Sequence, residues 1–407
     1  MRDKIKTPAK WLMLALMVLT NAFVTTMPMS ALPVLFKEIT EDLDLSLLQV
    51  GSIWGMVNLA GIFISLLAGV LADRFGTRRT LIVFCFLTAL TGALRGLSDS
   101  FGILVVTVLI NGAVRLVVPV AVAKNIGLWF RDGRLGLAMG LVMMGMGLGL
   151  MLGPLVSASL LSPWLGGWRN VMFFIGGLSG VVALFWLLIA REAPAPVEAE
   201  GSSVSILQAF RELLRARPIW IMGTTLAFRV GCLMGVTGYV PLYLRDFLNW
   251  KPGLADGTLS AFYAVSAAIV VPLTFLSDRI GSRRKIMIPA LVFGFLGTVL
   301  MPIADGALVW VLMIAHGMFL DTFMSLTTTL LLESKGVKQE YFGTAVGMIF
   351  TMGLVGAVSG PPLGALFTGF SGDAPFYFWA GLAFIALIIF LFIRVNPPTI
   401  MTPEHSQ

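Results

Sequence analysis

Residues 69–79 read GVLADRFGTRR, and residues 275–284 read FLSDRIGSRR. The two stretches share an Asp-Arg pair, a glycine two residues later and a closing Arg-Arg pair, as the 205-residue offset between Asp73 and Asp278 shows. Each stretch follows the second long apolar run of its half of the chain. A polar, glycine-containing segment repeated after equivalent apolar runs indicates that the chain consists of two related halves.

Two further landmarks recur in the same order along the chain. At an offset of 207, the fifth apolar run of each half carries the same glycines and proline: Gly136, Gly140, Gly149, Gly153 and Pro154 match Gly343, Gly347, Gly356, Gly360 and Pro361. At an offset of 208, a proline and two charged residues recur: Pro33, Lys37 and Glu38 match Pro241, Arg245 and Asp246. Three landmarks with near-constant spacing indicate an internal duplication.

The composition places this duplicated chain in a membrane. Of its 407 residues 57% are hydrophobic and 12% are charged, and the mean hydropathy is +0.93. A soluble domain carries about 25% charged residues, so a water-soluble core is excluded. The apolar runs are continuous over about 20 residues, the length that a helix needs to cross a bilayer, and do not alternate as barrel strands do.

The apolar runs and the polar segments between them predict twelve membrane spans. They fall near 11–33, 47–71, 80–98, 101–123, 135–160, 168–190, 218–243, 257–276, 285–303, 306–332, 341–369 and 375–394. We therefore expect a first bundle over 1–190, a solvated linker over 191–217, a second bundle over 218–397 and a tail over 398–407. Residues 206–217 of the linker are expected to form a short amphipathic helix on the membrane surface.

The basic residues predict how the chain is oriented. The formal net charge is +7, and most lysines and arginines lie in loops on the side of the amino terminus. By the positive-inside rule, both termini and the linker are expected in the cytoplasm, in a multi-pass protein of the inner membrane. No basic stripe suggests nucleic acid as a partner, and Cys85 and Cys232 lie inside predicted spans without metal-ligand spacing. We expect membrane lipid as surroundings, a monomer, and no cofactor or metal.

The repeated loop resembles the signature G-x-L-a-D-R-x-G-R-R of the major facilitator superfamily. The matching residues are Gly69, Leu71, Ala72, Asp73, Arg74, Gly76, Arg78 and Arg79, and in the second copy Asp278, Arg279, Gly281, Arg283 and Arg284. The resemblance covers all predicted spans. It implies an all-α integral membrane fold of twelve transmembrane helices in two six-helix, pseudo-symmetric bundles.

The resemblance also implies a gating role for this motif. Asp73 is expected near the start of the eleventh helix, where its carboxylate meets the positive end of a helix dipole when the cytoplasmic face is closed. Gly76 and Gly281 are expected to permit the tight turns of the two loops.

The fifth span carries Gly149, Gly153 and Pro154, which resemble the G-x-x-x-G-P motif of proton-coupled antiporters. The family pattern continues to a glycine pair, whereas this chain has Ser157 and Ala158. Close helix packing by the glycines and a kink at the proline are an equally good explanation, and the same applies to Gly360 and Pro361.

Charged residues within spans are costly and suggest function. Arg115 lies in span four and Arg229 in span seven, where Arg229 matches Asn21 of span one at the 208-residue offset. In the superfamily, helices one, four, seven and ten line the central cavity. Two arginines facing one cavity would bind a carboxylate-like anion through paired hydrogen bonds. The alternative is an internal ion pair in which Asp321 neutralises one of the arginines.

Other candidate site residues surround these arginines. His316 and Asp321 in span ten are candidates for proton coupling, although a lone histidine in an apolar helix is more often a hydrogen-bonded core residue. Tyr239 and Tyr263 are candidate substrate ligands because each carries a hydroxyl group. No catalytic motif of an enzyme, no nucleotide-binding loop and no metal-ligand cluster is visible, and a sensor would need a soluble output domain.

The leading hypothesis is a secondary transporter of a small organic or inorganic anion, working by alternating access. The segments KNIGLWF at 124–130 and RLGLAMG at 134–140 resemble the cyanate, nitroimidazole, oxalate/formate and monocarboxylate branches of the superfamily. The alternative is proton-driven efflux of a lipophilic drug, which the G-x-x-x-G-P residues favour and the two arginines oppose.

Overall fold

The first half of the chain folds into six long helices. The computed structural model describes residues 7–130, 134–191, 206–334 and 341–393. We number the helices of the first half α1 to α6: Ala9–Leu43, Leu47–Phe75, Thr77–Leu97, Phe101–Trp129, Leu135–Leu165 and Trp168–Ile189.

The second half repeats this arrangement. Its helices α7 to α12 are Arg217–Asp246, Pro252–Ile280, Arg284–Val299, Ala307–Leu331, Phe342–Gly369 and Ala374–Leu391. The short amphipathic helix predicted in the linker is present at Ile206–Leu213, before α7. The rest of the linker over 192–205 and the tail over 398–407 lie outside the described residues.

Ten of these helices are long and apolar enough to cross a membrane, and α2 and α9 complete the set of twelve. The predicted spans match the helices, but several helices extend beyond their apolar runs. Helix α1, for example, continues to Leu43 and ends at Asp44, whose φ is 49°. Ser46 and Gln49 then form a capping box that begins α2. Hydropathy detects only the segment in hydrocarbon, whereas a helix ends where its terminal backbone groups find caps.

Three spans are irregular, α1 and α10 near their midpoints and α5 near its carboxyl end. Residues Asn21–Thr26 of α1 and Ser157–Leu161 of α5 form π-helical turns, close to Pro28 and Pro154. Proline has no N–H for the helical ladder, so the neighbouring turns rearrange and leave carbonyl oxygens for other partners. Helix α10 consists of two pieces, Ala307–Gly317 and Leu320–Leu332, although its sequence predicts one continuous span.

The duplicated glycines pack equivalent helices together. A Cβ added at Gly149 or Gly153 of α5 would collide with the backbone and side chains of α1. In the same way, a Cβ at Gly356 or Gly360 of α11 would overlap the carbonyl oxygens of Ala227 or Gly231 in α7. These close backbone approaches are those of small-residue packing in membranes.

Helices α2 and α11 join the halves at one end of the molecule. We call the end at which α1 begins and α12 ends the terminal face, and the opposite end the distal face. Toward the distal face, Gly55 packs against the backbone of Val358. Gly347 and Gly343 lie about three and four turns further along the same face of α11, yet they are exposed and an added Cβ there would meet no atom within 4 Å.

Helices α5 and α8 also lie in contact toward the distal face and separate toward the terminal face. A Cβ at Gly147 would lie 2.8 Å from the Cβ of Ala267. Toward the terminal face, Gly140 and Gly136 continue that face of α5 into open space, and Val271 of α8 is 71% exposed. The two halves therefore touch toward the distal face and separate toward the terminal face, which leaves the space between them open on the terminal side.

The two signature loops turn at their glycines, as predicted. Gly76 has a φ of 78° and Gly281 a φ of 66°. This region of φ favours glycine because a Cβ would clash with the backbone. The glycines of the motif are thus explained by backbone geometry.

Candidate functional site

The polar groups of both halves lie at one depth, near the middle of their spans. Arg115 is the central residue of the 29-residue helix α4, and Arg229 is close to the middle of α7. The interruption of α10 between Gly317 and Leu320 lies at the middle of that span. The cationic side chains therefore meet the irregular backbone of α1 and α10 in the central layer of the bundle.

Arg115 binds the π-helical turn of α1. Its side chain is buried, and Nη1 donates a hydrogen bond of 3.0 Å to the carbonyl oxygen of Thr25. Asn21 begins the same π-helical turn, is 1% exposed, and has a side-chain oxygen without a hydrogen-bond partner. The irregular turn therefore supplies the acceptor that a regular helix would keep for its own ladder.

Arg229 binds the interruption of α10. Its Nη2 donates to the carbonyl oxygen of Phe319 over 3.2 Å, and its guanidinium carbon lies 4.2 Å from the centre of the Phe323 ring. Its Nη1 is buried and has no hydrogen-bond partner. A buried guanidinium with an unsatisfied N–H is a place where an anionic oxygen gains a strong hydrogen bond.

Asp321 follows the interruption but does not pair with either arginine. Its Oδ2 accepts a hydrogen bond of 2.6 Å from Oγ of Ser266 on α8, and its N–H donates to the same Oγ over 3.1 Å. Among the described residues, Asp321 takes part in no ion pair with Arg115 or Arg229. The internal ion pair that the sequence left open as an alternative is absent from this part of the structure.

Tyr263 belongs to the same group of residues, whereas Tyr239 does not. Tyr263 on α8 is buried and lies beside Thr237 of α7, within electrostatic range of Asp321. Tyr239 donates to the carbonyl oxygen of Gly372 over 3.0 Å, in the loop between α11 and α12 at the distal face. Ten residues separate Tyr239 from Arg229, which is about 15 Å along a helix axis.

His316 packs behind the interruption of α10. Its ring lies edge-on to Phe262, with centroids 5.6 Å apart, and its Nε2 lies 3.7 Å from the position of a Cβ at Gly294 of α9. Its Nδ1 is buried without a hydrogen-bond partner. The side chain therefore lies on the α9 side of α10, in a packing environment.

The structure thus assembles two polar groups at the central depth. Arg115 and Asn21 belong to the first half, and Arg229, Asp321 and Tyr263 belong to the second. In the described part of the chain, no three His, Cys, Asp or Glu side chains are placed to hold a metal ion. Cys85 and Cys232 are buried as free thiols.

A family model for the Major Facilitator Superfamily matches residues 14–338 and 257–407. The chain belongs to the Major Facilitator Superfamily. It is therefore a multi-pass membrane transporter and not an enzyme. The fold agrees with this assignment: a bacterial homolog of the human lysosomal transporter Spinster, solved in an inward-facing and unoccupied conformation, superposes with a TM-score of 0.79 at 17% identity. That superposition covers 96% of this chain and 100% of the other.

Relatives within the superfamily include transporters named for anions. The probable nitrate/nitrite antiporter NarK1 of Thermus thermophilus is 27% identical over 62% of this chain, and the match spans 58% of its own length. The probable sulfoacetate transporter SauU of Cupriavidus necator is 26% identical over 100% of this chain and 98% of its own length. The tetracenomycin C resistance and export protein of Streptomyces glaucescens and the class E tetracycline resistance protein of Escherichia coli also match, each over 40% of its own length.

The contacts of the superfamily signature residues are described most fully for the second copy, in the loop between α8 and α9. Asp278 forms an ion pair with Arg283, whose Nη2 also lies 3.1 Å from Glu333 at the end of α10. Partial burial lowers the pKa of the Arg283 guanidinium, but its hydrogen bonds to Asp278 and Glu333 outweigh this effect and raise it above the ordinary value. Nη2 of Arg284 donates to the carbonyl oxygen of Leu391 on α12 over 2.9 Å.

In the first half, the signature residues are described only in part. Arg74 and Arg79 are exposed, and Arg74 lies over the Phe75 ring at 5.7 Å. Arg78 has a buried Nε without a partner. The side chain of Asp73 and the surroundings of Gly69 lie outside the described residues, so the contact of Asp73 with α11 stays a prediction.

The distal face carries charged contacts whose role the sequence analysis missed. Lys37 of α1 and Asp246 of α7 form an ion pair of 2.7 Å between the halves. Arg245 donates to the carbonyl oxygen of Val34 on α1 over 2.7 Å and forms a buried ion pair with Asp256 of α8. Lys37 and Arg245 occupy equivalent places in the duplication, so the repeated charged landmark was the signal for this contact between α1 and α7.

Trp54 packs between α2 and α7, on the side of these charged contacts that faces the middle of the bundle. The indole N–H of Trp54 on α2 donates to the carbonyl oxygen of Met234 on α7 over 2.7 Å. A Cβ at Gly238 would collide with the indole ring, so the ring fills a notch in α7. We call these residues and the Lys37–Asp246 and Arg245 contacts the distal gate.

Arg95 lies near the distal end of α3, where an arginine side chain can extend to the membrane interface. The structure instead buries it at 3% exposure. Its Nη1 donates to the carbonyl oxygen of Pro28 over 3.1 Å and its Nε to Gly92 over 3.2 Å. The side chain turns inward because α1 presents an accessible carbonyl at this depth, and span hydropathy carries no information about that.

Proposed function

We propose that this transporter carries a small, carboxylate-like anion across the inner membrane by alternating access, and that Arg115 and Arg229 are its main anion ligands. The observation that carries the proposal is the unsatisfied Nη1 of Arg229, buried at the central depth. Arg115 comes from the other half at the same depth. Placing a guanidinium there costs at least about 2.5 kcal/mol, and binding an anion offsets that cost.

The relatives support an anion as substrate. Nitrate, nitrite and sulfoacetate, which appear in the names of NarK1 and SauU, are all oxyanions. A guanidinium binds such planar oxygen pairs with two parallel hydrogen bonds. Asn21 and Tyr263 would complete the ligand set with neutral hydrogen-bonding groups, whereas Tyr239 acts at the distal gate in the conformation described above.

Alternating access follows from the two-half architecture. With the termini and linker in the cytoplasm, this conformation opens inward, and the distal gate closes the outer side. Transport requires the distal gate to separate and the terminal ends of α2, α5, α8 and α11 to approach, where Asp73 meets the start of α11. The linker over 191–217 lets the bundles over 1–190 and 218–397 rotate as units.

Asp321 is the better candidate for proton coupling, because it lies beside the arginine site and carries a hydroxyl partner in Ser266. His316 packs against Gly294 and Gly297 of α9 and Phe262 of α8, and no hydrogen bond joins it to the described candidate ligands. Proton-driven drug efflux is the competing function. The export relatives and Gly149, Gly153 and Pro154 favour it, but those residues pack α5 on α1, and two buried arginines are unsuited to a lipophilic cation.

The test is the thermal stability of the detergent-purified protein with mono- and dicarboxylates, sulfoacetate, cyanate and nitrate, and with lipophilic cations as controls. An anion at about 100 times its Kd should stabilise the protein by about 2.7 kcal/mol. Arg115→Ala and Arg229→Ala should each lose this stabilisation, whereas Arg215→Ala, at an exposed arginine before α7, should retain it. Stabilisation by lipophilic cations alone would overturn the proposal in favour of efflux.

A further inference from the structure

Ser266 of α8 and Asp321 of α10 form two hydrogen bonds with each other near the buried Arg229. The Ser266 hydroxyl is 1% exposed and forms both a donated and an accepted hydrogen bond with Asp321. The donated bond of 2.6 Å fixes the carboxylate, and the accepted bond fixes the hydroxyl against the first turn of the second piece of α10. Ser266 therefore determines where the carboxylate of Asp321 points.

Arg229 lies close enough to attract that carboxylate. Its guanidinium binds the carbonyl of Phe319, two residues before Asp321, and Asp321 is within its electrostatic range. Its Nη1 has no hydrogen-bond partner, although the carboxyl group of Asp321 is nearby. An attractive pair that does not form needs a competing interaction, and the hydrogen bond that Ser266 donates to Oδ2 of Asp321 is that interaction.

We infer that Ser266 is a positioning residue that holds Asp321 away from Arg229 and so keeps the guanidinium free for the transported anion. This inference rests on the proposed function. A carboxylate tethered to α10 has a high effective concentration at Arg229 and would compete with any free anion. By binding Asp321, Ser266 removes this internal competitor without removing its charge from the site.

The other groups around the pair do not take over this task. Tyr263 lies beside Thr237 and has its ring edge-on to Phe262, and His316 packs against the same phenylalanine. Phe323 covers one face of the Arg229 guanidinium and offers no acceptor oxygen. An incoming ligand must therefore present an acceptor oxygen to Nη1 of Arg229, which has no hydrogen-bond partner of its own.

The binding test uses five variants of the 407-residue protein, with sulfoacetate and nitrate as ligands at equilibrium. Ser266→Ala should raise Kd about tenfold to a hundredfold, because Asp321 then occupies Arg229. Ser266→Thr keeps the hydroxyl and should bind like wild type. Ser260→Ala is the matched control, since Ser260 lies on the same helix and donates only to the backbone oxygen of Asp256.

The double variant Ser266→Ala/Asp321→Asn separates positioning from simple loss of structure. If the freed carboxylate is the competitor, its neutralisation should return Kd to within about threefold of the value for Asp321→Asn alone. Transport with Ser266→Ala should show a raised KM with a largely unchanged maximal rate. A Ser266→Ala protein that binds like wild type, or a double variant as weak as Ser266→Ala, would overturn the inference.

A measurement without ligand distinguishes this inference from the proposed function. The thermal stabilities of Arg229→Ala, Asp321→Asn and their combination measure the coupling between the two residues. This coupling should be small with Ser266 present and should rise in the Ser266→Ala background. Unchanged coupling would overturn the inference even if anions bind, whereas failure of wild type to bind any anion would overturn the proposed function and the inference with it.

Discussion

At the scale of single residues, the two buried arginines are distinguished by what they bind. Each uses one N–H to hold a carbonyl oxygen of an irregular span, Thr25 for Arg115 and Phe319 for Arg229. The planar guanidinium can bind this carbonyl and still present further N–H groups to a ligand. A single arginine side chain can thus both stabilise the irregular backbone and bind the anion.

This double role predicts that a positive charge in place of the Arg229 guanidinium is not sufficient for anion binding. Arg229→Lys retains the positive charge but has a single ammonium group, which cannot reach both the Phe319 carbonyl and an anion in fork geometry. We expect anion affinity to fall by about 1.5 kcal/mol or more, as for loss of a charge-assisted hydrogen bond. Isothermal titration with the anion that stabilises wild type checks this, with Arg215→Lys as control. Equal affinities for Arg229→Lys and wild type would show that only charge matters.

At the scale of helices, the glycines of α5 and α11 pack against α1 and α7, the first helix of each half. Thr26 donates to the carbonyl oxygen of Met146 over 3.0 Å, and Ser30 to that of Gly149 over 3.1 Å, so α5 holds α1 directly at its π-helical turn. In the second half, α11 packs on α7 through Gly356 and Gly360. The duplicated glycine pattern therefore supports the helices that carry the arginine site.

The packing predicts a marked effect of Gly356→Ala. The added Cβ would overlap the carbonyl oxygen of Ala227, which is rigid backbone, so α11 must move away from α7. We expect a loss of about 1–3 kcal/mol of stability, typical of overpacking. Thermal unfolding in detergent measures it. Gly177→Ala, where an added Cβ meets no atom within 4 Å, should unfold at or slightly above the wild-type temperature. Similar behaviour of both variants would contradict the packing argument.

At the scale of the whole molecule, the distal gate and the open terminal side describe one conformation of a two-state transporter. The Lys37–Asp246 pair is 34% exposed at each side chain, and pairs of this kind contribute about 0.2–1 kcal/mol. The buried Arg245–Asp256 pair and Trp54 add a second layer. A gate of several modest contacts can open repeatedly, because no single contact dominates the equilibrium.

The gate can be locked by a cross-link. The Cβ of a residue at Gly51 on α2 would lie 2.9 Å from the Cβ of Ala365 on α11, within reach of a disulfide after a small adjustment. We expect Gly51→Cys/Ala365→Cys to form the disulfide under oxidation, to lose transport in proteoliposomes and to regain it on reduction. Each single cysteine variant is the control. Full transport by the oxidised protein would show that the distal contact does not open during the cycle.

The positions of the spans along the chain, the internal duplication and the superfamily were all predictable from the amino-acid sequence. Hydropathy reports where a residue lies along the membrane normal, and repeated motifs report equivalent positions in the two halves, so Arg115 and Arg229 could be placed at mid-membrane. The turns at Gly76 and Gly281 were likewise predictable from the sequence, because they depend on local backbone conformation.

The direction of those side chains and the groups that they contact required the packed structure. Rotation of a helix about its axis depends on packing against neighbours distant in sequence, and hydropathy contains no such information. The inward burial of Arg95, the interruption of α10, the contact of Asp321 with Ser266 and the place of Tyr239 at the distal face all depend on partners from other helices. The distal gate has the same origin, because its contacts join residues from different halves of the chain.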